Sequence, residues 1–158
     1  MGIYVGIIIG LVAGLIIAGV AMWLLMPGLM LKTHVSRFKT IDETVDALKK
    51  AIESTGWNCP MVRDMNASMA KENVNFEAPI RVVELCNANY ANQVLSTNPE
   101  VSTLMPCAWG VYKKGNEVMI TGMNMGLMGK MFGGNIARVM GGSVAKDEAT
   151  MLAKVTKR

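Results

Sequence analysis

The stretch that decides the fold of this chain is CAWGVYKKGNEVMITG, from Cys107 to Gly122. Two runs rich in β-branched and aromatic residues, 107–113 and 117–122, have the composition of strands. Between them lies Lys114-Gly115-Asn116, a three-residue loop whose glycine accepts a positive φ angle. The stretch therefore predicts an antiparallel β-hairpin.

Upstream of the hairpin, the pattern predicts strands alternating irregularly with helices. Thr40-Ile41-Asp42-Glu43 is a capping box, in which the Thr hydroxyl and the Glu carboxylate each satisfy a free amide at the start of a helix. Apolar residues then follow at helical spacing as far as Ile52, and Gly56 ends the helix. Asn87 is placed to cap a second helix. Further strands are predicted at 31–38, 59–65 and 80–86.

Downstream of the hairpin, a segment rich in glycine and methionine predicts a helix from Leu127 to Met140. Met128, Phe132, Ile136 and Met140 recur at every fourth position and form one apolar stripe. Ser143 is expected to begin a final amphipathic helix. Irregular mixing of strands and helices predicts an α+β fold, with an antiparallel-rich sheet packed against helices in one two-layer domain at 31–158.

The N-terminal segment differs sharply from the rest, because its first 31 residues carry no charged side chain. Its apolar run, from Ile3 to about Gly28, exceeds the roughly 20 residues that cross a hydrocarbon core. An isolated segment in lipid must satisfy its own backbone groups, which favours a helix. A signal peptide is the alternative, but its basic leading region is absent here. We therefore expect a retained transmembrane anchor at 1–30, in contact with a lipid bilayer.

Small residues recur through this segment at every fourth position. Such a stripe lies on one helix face and allows two helix backbones to approach closely in a bilayer. The spacing therefore predicts self-association into a dimer or a larger homo-oligomer. The stripe consists of Gly2, Gly6, Gly10, Gly14 and Ala18.

The charges suggest an orientation and exclude one class of partner. The chain has 16 basic and 12 acidic residues, a net charge of +4, and the excess is scattered without interleaved aromatic residues. This pattern does not predict nucleic-acid binding. Lys32, Arg37 and Lys39 are the first charges after the apolar run, which places the domain in the cytoplasm by the positive-inside rule. The opposite, exported orientation is the alternative.

The cysteines and methionines predict a possible site for a soft ligand. Cys59, Cys86 and Cys107 are odd in number and lack CxxC spacing, which argues against a disulfide framework or a zinc site. Cys86 ends one predicted strand and Cys107 begins another, so their thiols meet if those strands are neighbours. Thiols and thioethers suit Cu(I), with heme binding and thiol redox chemistry as alternatives. Ordinary burial in the core is the simplest interpretation. The candidate ligands are Cys86, Cys107, Met105, Met123, Met125 and Met128.

Catalytic residues are not evident in the sequence. His34 is the single histidine and has no predicted Ser, Cys or Asp partner, so no general base with a supporting residue is identified. A phosphate loop at Gly126 to Gly134 fails, because Asn124 replaces its first glycine and Met131 replaces the metal-binding Ser or Thr. We predict no catalytic residue.

Several short motifs occur in a distinctive order: Gly56-Trp57, ELCN from Glu84 to Asn87 followed by Ala91, Met105-Pro106-Cys107, Val111-Tyr112, and MNMGLMGKMFGG from Met123 to Gly134. Together they resemble the bacterial and archaeal family called domain of unknown function 302, in particular its members with an N-terminal membrane anchor. The resemblance covers Phe38 to Val155. It implies a two-layer α/β domain that tends to dimerise, in a cell membrane of a bacterium or archaeon. It implies no reaction, and some relatives are exported.

Two functional hypotheses follow. The first is a single-pass membrane protein that serves as a homo-oligomeric binding or assembly module. The second is a Cu(I)- or heme-binding or thiol-redox module that uses Cys86, Cys107 and the nearby methionines.

Overall fold

The computed structural model describes residues 2–157. The chain divides into two compact units, 1–30 and 31–158, and each is described separately.

The first unit is one helix, α1 (Gly2–Met30), of 29 residues. At 1.5 Å per residue it is about 43 Å long, which exceeds a hydrocarbon core of about 30 Å. Within its segment Tyr4–Met30, an 18-residue window has a mean hydropathy of 2.7, and none of that window is buried. By length and composition it is able to span a membrane, a property that signal sequences near an N-terminus share. Side chains added at Gly6 or Gly10 would meet nothing within 4 Å.

The second unit is built on a five-stranded antiparallel sheet, as the hairpin and its neighbouring strands predicted. The strands are β1 (Leu31–Val35), β2 (Val62–Asp64), β3 (Ile80–Leu85), β4 (Cys107–Lys114) and β5 (Glu117–Met123). Their order across the sheet is β1-β5-β4-β3-β2. All pairs are antiparallel, so β1 and β2 form the two edges.

Helices cover one face of this sheet and form the second layer of the α+β fold. They are α2 (Ile41–Glu53), α3 (Met65–Ala70), α4 (Ala88–Leu95), a 3₁₀ helix (Pro99–Leu104), α5 (Met125–Phe132), α6 (Gly134–Arg138), a π-helical turn (Val139–Val144) and α7 (Ala145–Ala153). Helix α2 contacts β3, β4 and α7, and α4 contacts the π-helical turn. The core lies between these helices and the sheet.

Both predicted helix caps are confirmed. The Thr40 hydroxyl accepts a hydrogen bond from the Glu43 amide at 3.2 Å, and the Glu43 carboxylate accepts one from the Thr40 amide at 3.2 Å. The Asn87 side chain accepts hydrogen bonds from the amides of Asn89 and Tyr90. These local signals therefore determine where α2 and α4 begin.

The strand register determines which side chains face the helices. Trp109 is buried and pairs with Gly122, which in turn pairs with Lys32 of β1. A Cβ atom at Gly122 would lie 2.4 Å from Trp109 Cδ1, so glycine is required there. Directly opposed residues share a sheet face. Lys32, and likewise His34 opposite the buried Ile120, therefore lie on the helix-covered face.

The prediction of one helix from Leu127 to Met140 is wrong. The chain breaks at Gly133, whose φ of 70° lies in the left-handed region, and Phe132 before it is exposed. Ser143 lies inside the π-helical turn and does not begin a helix. The tertiary reason is a close backbone approach, because a Cβ atom at Gly129 would lie 2.6 Å from the Gly141 Cα atom.

Candidate functional site

A cleft of about 260 Å³ lies between the edge strand β1 and helix α7. We call it the carboxylate cleft, after Glu148. The lining residues relevant here are Lys32, His34, Met123, Met125, Glu148 and Leu152. Its volume is close to the lower limit for small-molecule sites, which is about 300 Å³.

Hydrogen bonds connect the end of α7 and the residues after it to strand β1 and the residues that follow β1. Thr156 forms an isolated bridge with Ser36, and the Lys157 amide donates to the Val35 carbonyl at 2.9 Å. The Arg37 guanidinium donates to the carbonyl oxygens of Ala153 and Thr156 at 2.9 and 3.0 Å. The two walls of the cleft are therefore held together by hydrogen bonds at this end.

Glu148 is the chemically unusual residue of this cleft. It is 7% exposed, and within residues 2–157 its carboxyl group forms no hydrogen bond and no ion pair within 4 Å. Burial raises the pKa of Glu148 to about 7, and the positive charge of Lys32 opposes this rise. No fully buried side-chain oxygen or nitrogen of the described residues lacks a partner, so the carboxyl oxygens of Glu148 are open to the cleft. Perturbed carboxyl groups in clefts are typical of functional sites.

The other polar groups of the cleft come from strand β1. Lys32 is exposed and His34 is half-buried. Thioethers and aliphatic side chains, among them Met123, Met125 and Leu152, form the remaining walls. The cleft thus combines one buried carboxyl group, one ammonium group and one imidazole with apolar surroundings.

A second, smaller cavity of about 30 Å³ lies where β3 ends and β4 begins, under α4 and the π-helical turn. We call it the cysteine cleft. Its lining includes Trp57, Cys86, Tyr90, Met105, Pro106 and Cys107. The Trp57 and Tyr90 rings lie 5.7 Å apart, and Trp57 Nε1 donates to Asp147 Oδ2 at 3.0 Å. Its volume admits a single ion or about two waters, which is too little for a heme.

Cys86 and Cys107 line the same cavity, and the strands that carry them are neighbours, since Leu85 pairs with Cys107. Both are free thiols. Burial raises the pKa of Cys107 to about 12, and the charges of Glu148 and then Cys86 add to this effect. Since the thiolate is the reactive form, Cys107 is unsuited to redox chemistry at neutral pH.

The structure divides the predicted set of soft ligands. Cys86, Met105 and Cys107 line the cysteine cleft, whereas Met123 and Met125 line the carboxylate cleft. Met128 is buried in the core. Across the described part of the chain, no cluster of three or more His, Cys, Asp or Glu side chains is arranged to hold a metal ion.

Glu148 was missed by the sequence reasoning, although a signal for it exists. It lies four residues after Val144 and three before Met151, and both of these are buried. A glutamate on the apolar stripe of an amphipathic helix breaks the pattern. This position was therefore detectable from the sequence as an unusual carboxyl group.

Comparisons with known proteins bear on the family and the fold. The model of the family described as Domain of unknown function DUF302 matches residues 32–158. A crystal structure of an uncharacterised conserved DUF302 protein from Bacillus stearothermophilus matches with a TM-score of 0.69 and 19% identity. That match covers 79% of this chain and 97% of the other. No curated protein matches the chain.

Proposed function

We propose that this chain, which belongs to the family Domain of unknown function DUF302, is a membrane-tethered binding module whose carboxylate cleft takes a small cationic ligand. The observation that carries the proposal is Glu148, a buried carboxyl group without a partner in the described residues, facing a cleft of about 260 Å³. An ionised carboxylate in apolar surroundings is costly unless a cation compensates it. A bound ammonium group supplies that compensation and donates hydrogen bonds to both carboxylate oxygens.

The test uses the full chain in a neutral detergent, with ethanolamine as the cationic probe. Two-dimensional NMR follows the backbone amides around the cleft as ethanolamine is added. We expect saturable shifts at Glu148, His34 and Leu152, and their loss in Glu148→Gln, which keeps the shape and removes the charge.

The matched control is Glu77→Gln, which changes an exposed glutamate and should leave the titration unaltered. If Glu148→Gln and wild type respond equally, or if wild type shows no saturable shift, the cleft is not a site for a cation.

A second candidate function is supported by the cysteine cleft, where Cys86, Met105 and Cys107 converge from separate segments. We propose Cu(I) as the soft ion that this set would hold. Metal binding must displace the thiol protons, and burial raises the pKa of Cys107 to about 12, so affinity should rise steeply with pH.

Competition with a Cu(I) chelator tests this second function. The full chain should retain Cu(I) and lose it in Cys86→Ser and Cys107→Ser, whereas Cys59→Ser, outside the cleft, serves as the control. Equal copper retention by all four proteins, or none by wild type, would exclude a site at these residues.

The tether and its self-association form the remaining part of the proposal. Support comes from α1, whose length suffices for a bilayer and whose glycine stripe is open to a second helix. We expect Gly6→Leu with Gly10→Leu to reduce the oligomer size measured in mild detergent, since bulk on the stripe separates the backbones. Val5→Leu with Ile9→Leu is the control off the stripe. An unchanged size in the glycine variant, or a wild-type monomer, would refute this part.

A further inference from the structure

A second recess adjoins the carboxylate cleft and carries the opposite charge. It has a volume of about 480 Å³ and is lined by Lys32, Asn124, Gly126, Lys130, Gly141 and Gly142 among others. We call it the lysine recess. Lys32 and Gly126 line both spaces, so the recess and the cleft are neighbours.

The charged groups of the lysine recess are all positive. Lys32 and Lys130 are exposed ammonium groups. Helix α5 begins at Met125, and Asn124 Oδ1 accepts the Leu127 amide at 3.2 Å. The first amides of a helix have no acceptor within it, so those of Met125 and Gly126 add to the positive potential. This arrangement favours an anionic group.

The carboxylate cleft beside it favours the opposite charge. Glu148 is more than nine-tenths buried and faces the cleft without a hydrogen-bond partner in the described part of the chain. A simple anion in the recess leaves Glu148 without a cation, and a simple cation in the cleft leaves Lys32 and Lys130 without an anion. A ligand that carries both charges satisfies both spaces.

We propose that the joined cleft and recess bind an aminoalkyl phosphate, with its ammonium group on Glu148 and its phosphate on Lys32 and Lys130. This inference rests on the proposed function and adds the anionic half of the ligand. Phosphoethanolamine is the simplest such molecule, either free or as the headgroup of phosphatidylethanolamine. Its short carbon chain would pass Gly126, which lines both spaces and has no side chain.

The chemistry of the walls distinguishes related ligands. Quaternary ammonium groups are held by aromatic cages, and among residues 2–157 the imidazole of His34 is the only aromatic ring that lines either space. A primary ammonium group instead donates hydrogen bonds, which a carboxylate accepts. Two lysines and a helix start suit a phosphate with several oxygens. The pair of spaces therefore favours phosphoethanolamine over phosphocholine.

Binding to the full chain in neutral detergent, measured by calorimetry, tests the free form. We expect phosphoethanolamine to bind at least about tenfold more tightly than ethanolamine, inorganic phosphate or phosphocholine, because charge-assisted hydrogen bonds form at both ends. Lys32→Met and Lys130→Met should lower this preference, whereas Lys146→Met, an exposed lysine of α7, should not.

A second experiment, with lipids, distinguishes free phosphoethanolamine from the headgroup of phosphatidylethanolamine. The full chain is taken from mixed micelles of phosphatidylethanolamine and phosphatidylcholine into native mass spectrometry. We expect wild type to retain phosphatidylethanolamine and Glu148→Gln to lose it. That result identifies the lipid headgroup as the ligand, even if free phosphoethanolamine does not bind.

The results that would overturn the inference differ from those that would overturn the proposed function. If ethanolamine binds as tightly as phosphoethanolamine, the lysine recess does not bind the phosphate, and only the cation site in the carboxylate cleft remains. If inorganic phosphate binds as tightly as phosphoethanolamine, the ammonium group adds no affinity, and Glu148 does not contribute to binding this ligand. If neither calorimetry nor native mass spectrometry detects binding of any of these compounds, both this inference and the proposed function are wrong.

Discussion

Replacing Glu148 with Gln should stabilise the domain at alkaline pH and leave it unchanged at acidic pH. The carboxyl group is buried, and in residues 2–157 it lacks a hydrogen-bond partner. Burial raises its pKa from 4.5 to about 7, and Lys32 works against the rise. The folded state therefore holds a proton that the unfolded chain has already released between these two pH values.

The sign and size of the effect follow from this difference in proton binding. Where the folded state binds more protons, the free energy of unfolding falls as pH rises. The loss begins near pH 4.5 and is complete above about pH 7. At about 1.4 kcal/mol for each tenfold change in proton affinity, it amounts to about 3 kcal/mol. Glutamine does not ionise, so the variant avoids this loss.

Urea denaturation of the full chain in neutral detergent measures the effect. Fluorescence of Trp57 and Trp109, both buried, reports on the domain, in a Trp23→Phe background that removes the signal of α1. We expect nearly equal stability near pH 4, below both pKa values, and a variant more stable by about 3 kcal/mol near pH 8.5. Lys32 and His34 face the same cleft and are present in both proteins, so their contributions largely cancel. Parallel stability curves, or a variant less stable at alkaline pH, would refute the reasoning.

Three further predictions concern packing, capping and thiol chemistry. Gly122→Ala should lower the free energy of unfolding by about 1–3 kcal/mol, because the new Cβ atom would lie 2.4 Å from Trp109. Gly110→Ala is the control and should lower it less, since its nearest contact is at 3.8 Å. Equal losses of the two variants in urea denaturation would contradict this prediction. Thr40→Ala should lower the same free energy by about 1 kcal/mol by removing a capping box, and an unchanged denaturation midpoint would show that the cap is dispensable. Since burial raises the pKa of Cys107 to about 12, mass spectrometry after maleimide treatment near pH 8 should find this thiol unlabelled while the two half-buried cysteines react, and rapid labelling of Cys107 would disprove its burial.

Much of the fold was predictable because its signals are local. The hairpin follows from Lys114-Gly115-Asn116 between two β-rich runs, and the starts of α2 and α4 follow from Thr40 and Asn87. These residues act through hydrogen bonds and backbone angles within a few positions along the chain. Such interactions are fully contained in the sequence around them.

The region after the hairpin was predicted less well, because its shape depends on tertiary contacts. Gly129 and Gly141 are 12 positions apart, and their close approach gives an interrupted set of helices in place of one. A glycine in a helical pattern does not reveal whether the helix ends there, as at Gly133, or whether another backbone packs closely against it, as at Gly129. Periodicity alone therefore misassigned this segment.

The candidate site was predictable only in part for the same reason. The predicted site at Cys86 and Cys107 depended on the assumption that their strands are neighbours. Strands β3 and β4 are neighbours in the sheet, and both cysteines line one cavity. The carboxylate cleft combines β1 with α7, segments more than 100 residues apart. Nothing in either segment alone indicates that His34 and Glu148 share a cavity.

The most direct test of the account is the titration of the Glu148 side-chain carboxyl carbon by NMR in the full chain. We expect a midpoint near pH 7, the value to which burial raises its pKa, and a lower midpoint once phosphoethanolamine or ethanolamine is bound. A midpoint near 4.5 that neither compound changes would contradict the central claim, which is that Glu148 is largely buried, has no partner among residues 2–157 and binds a cation in the cleft.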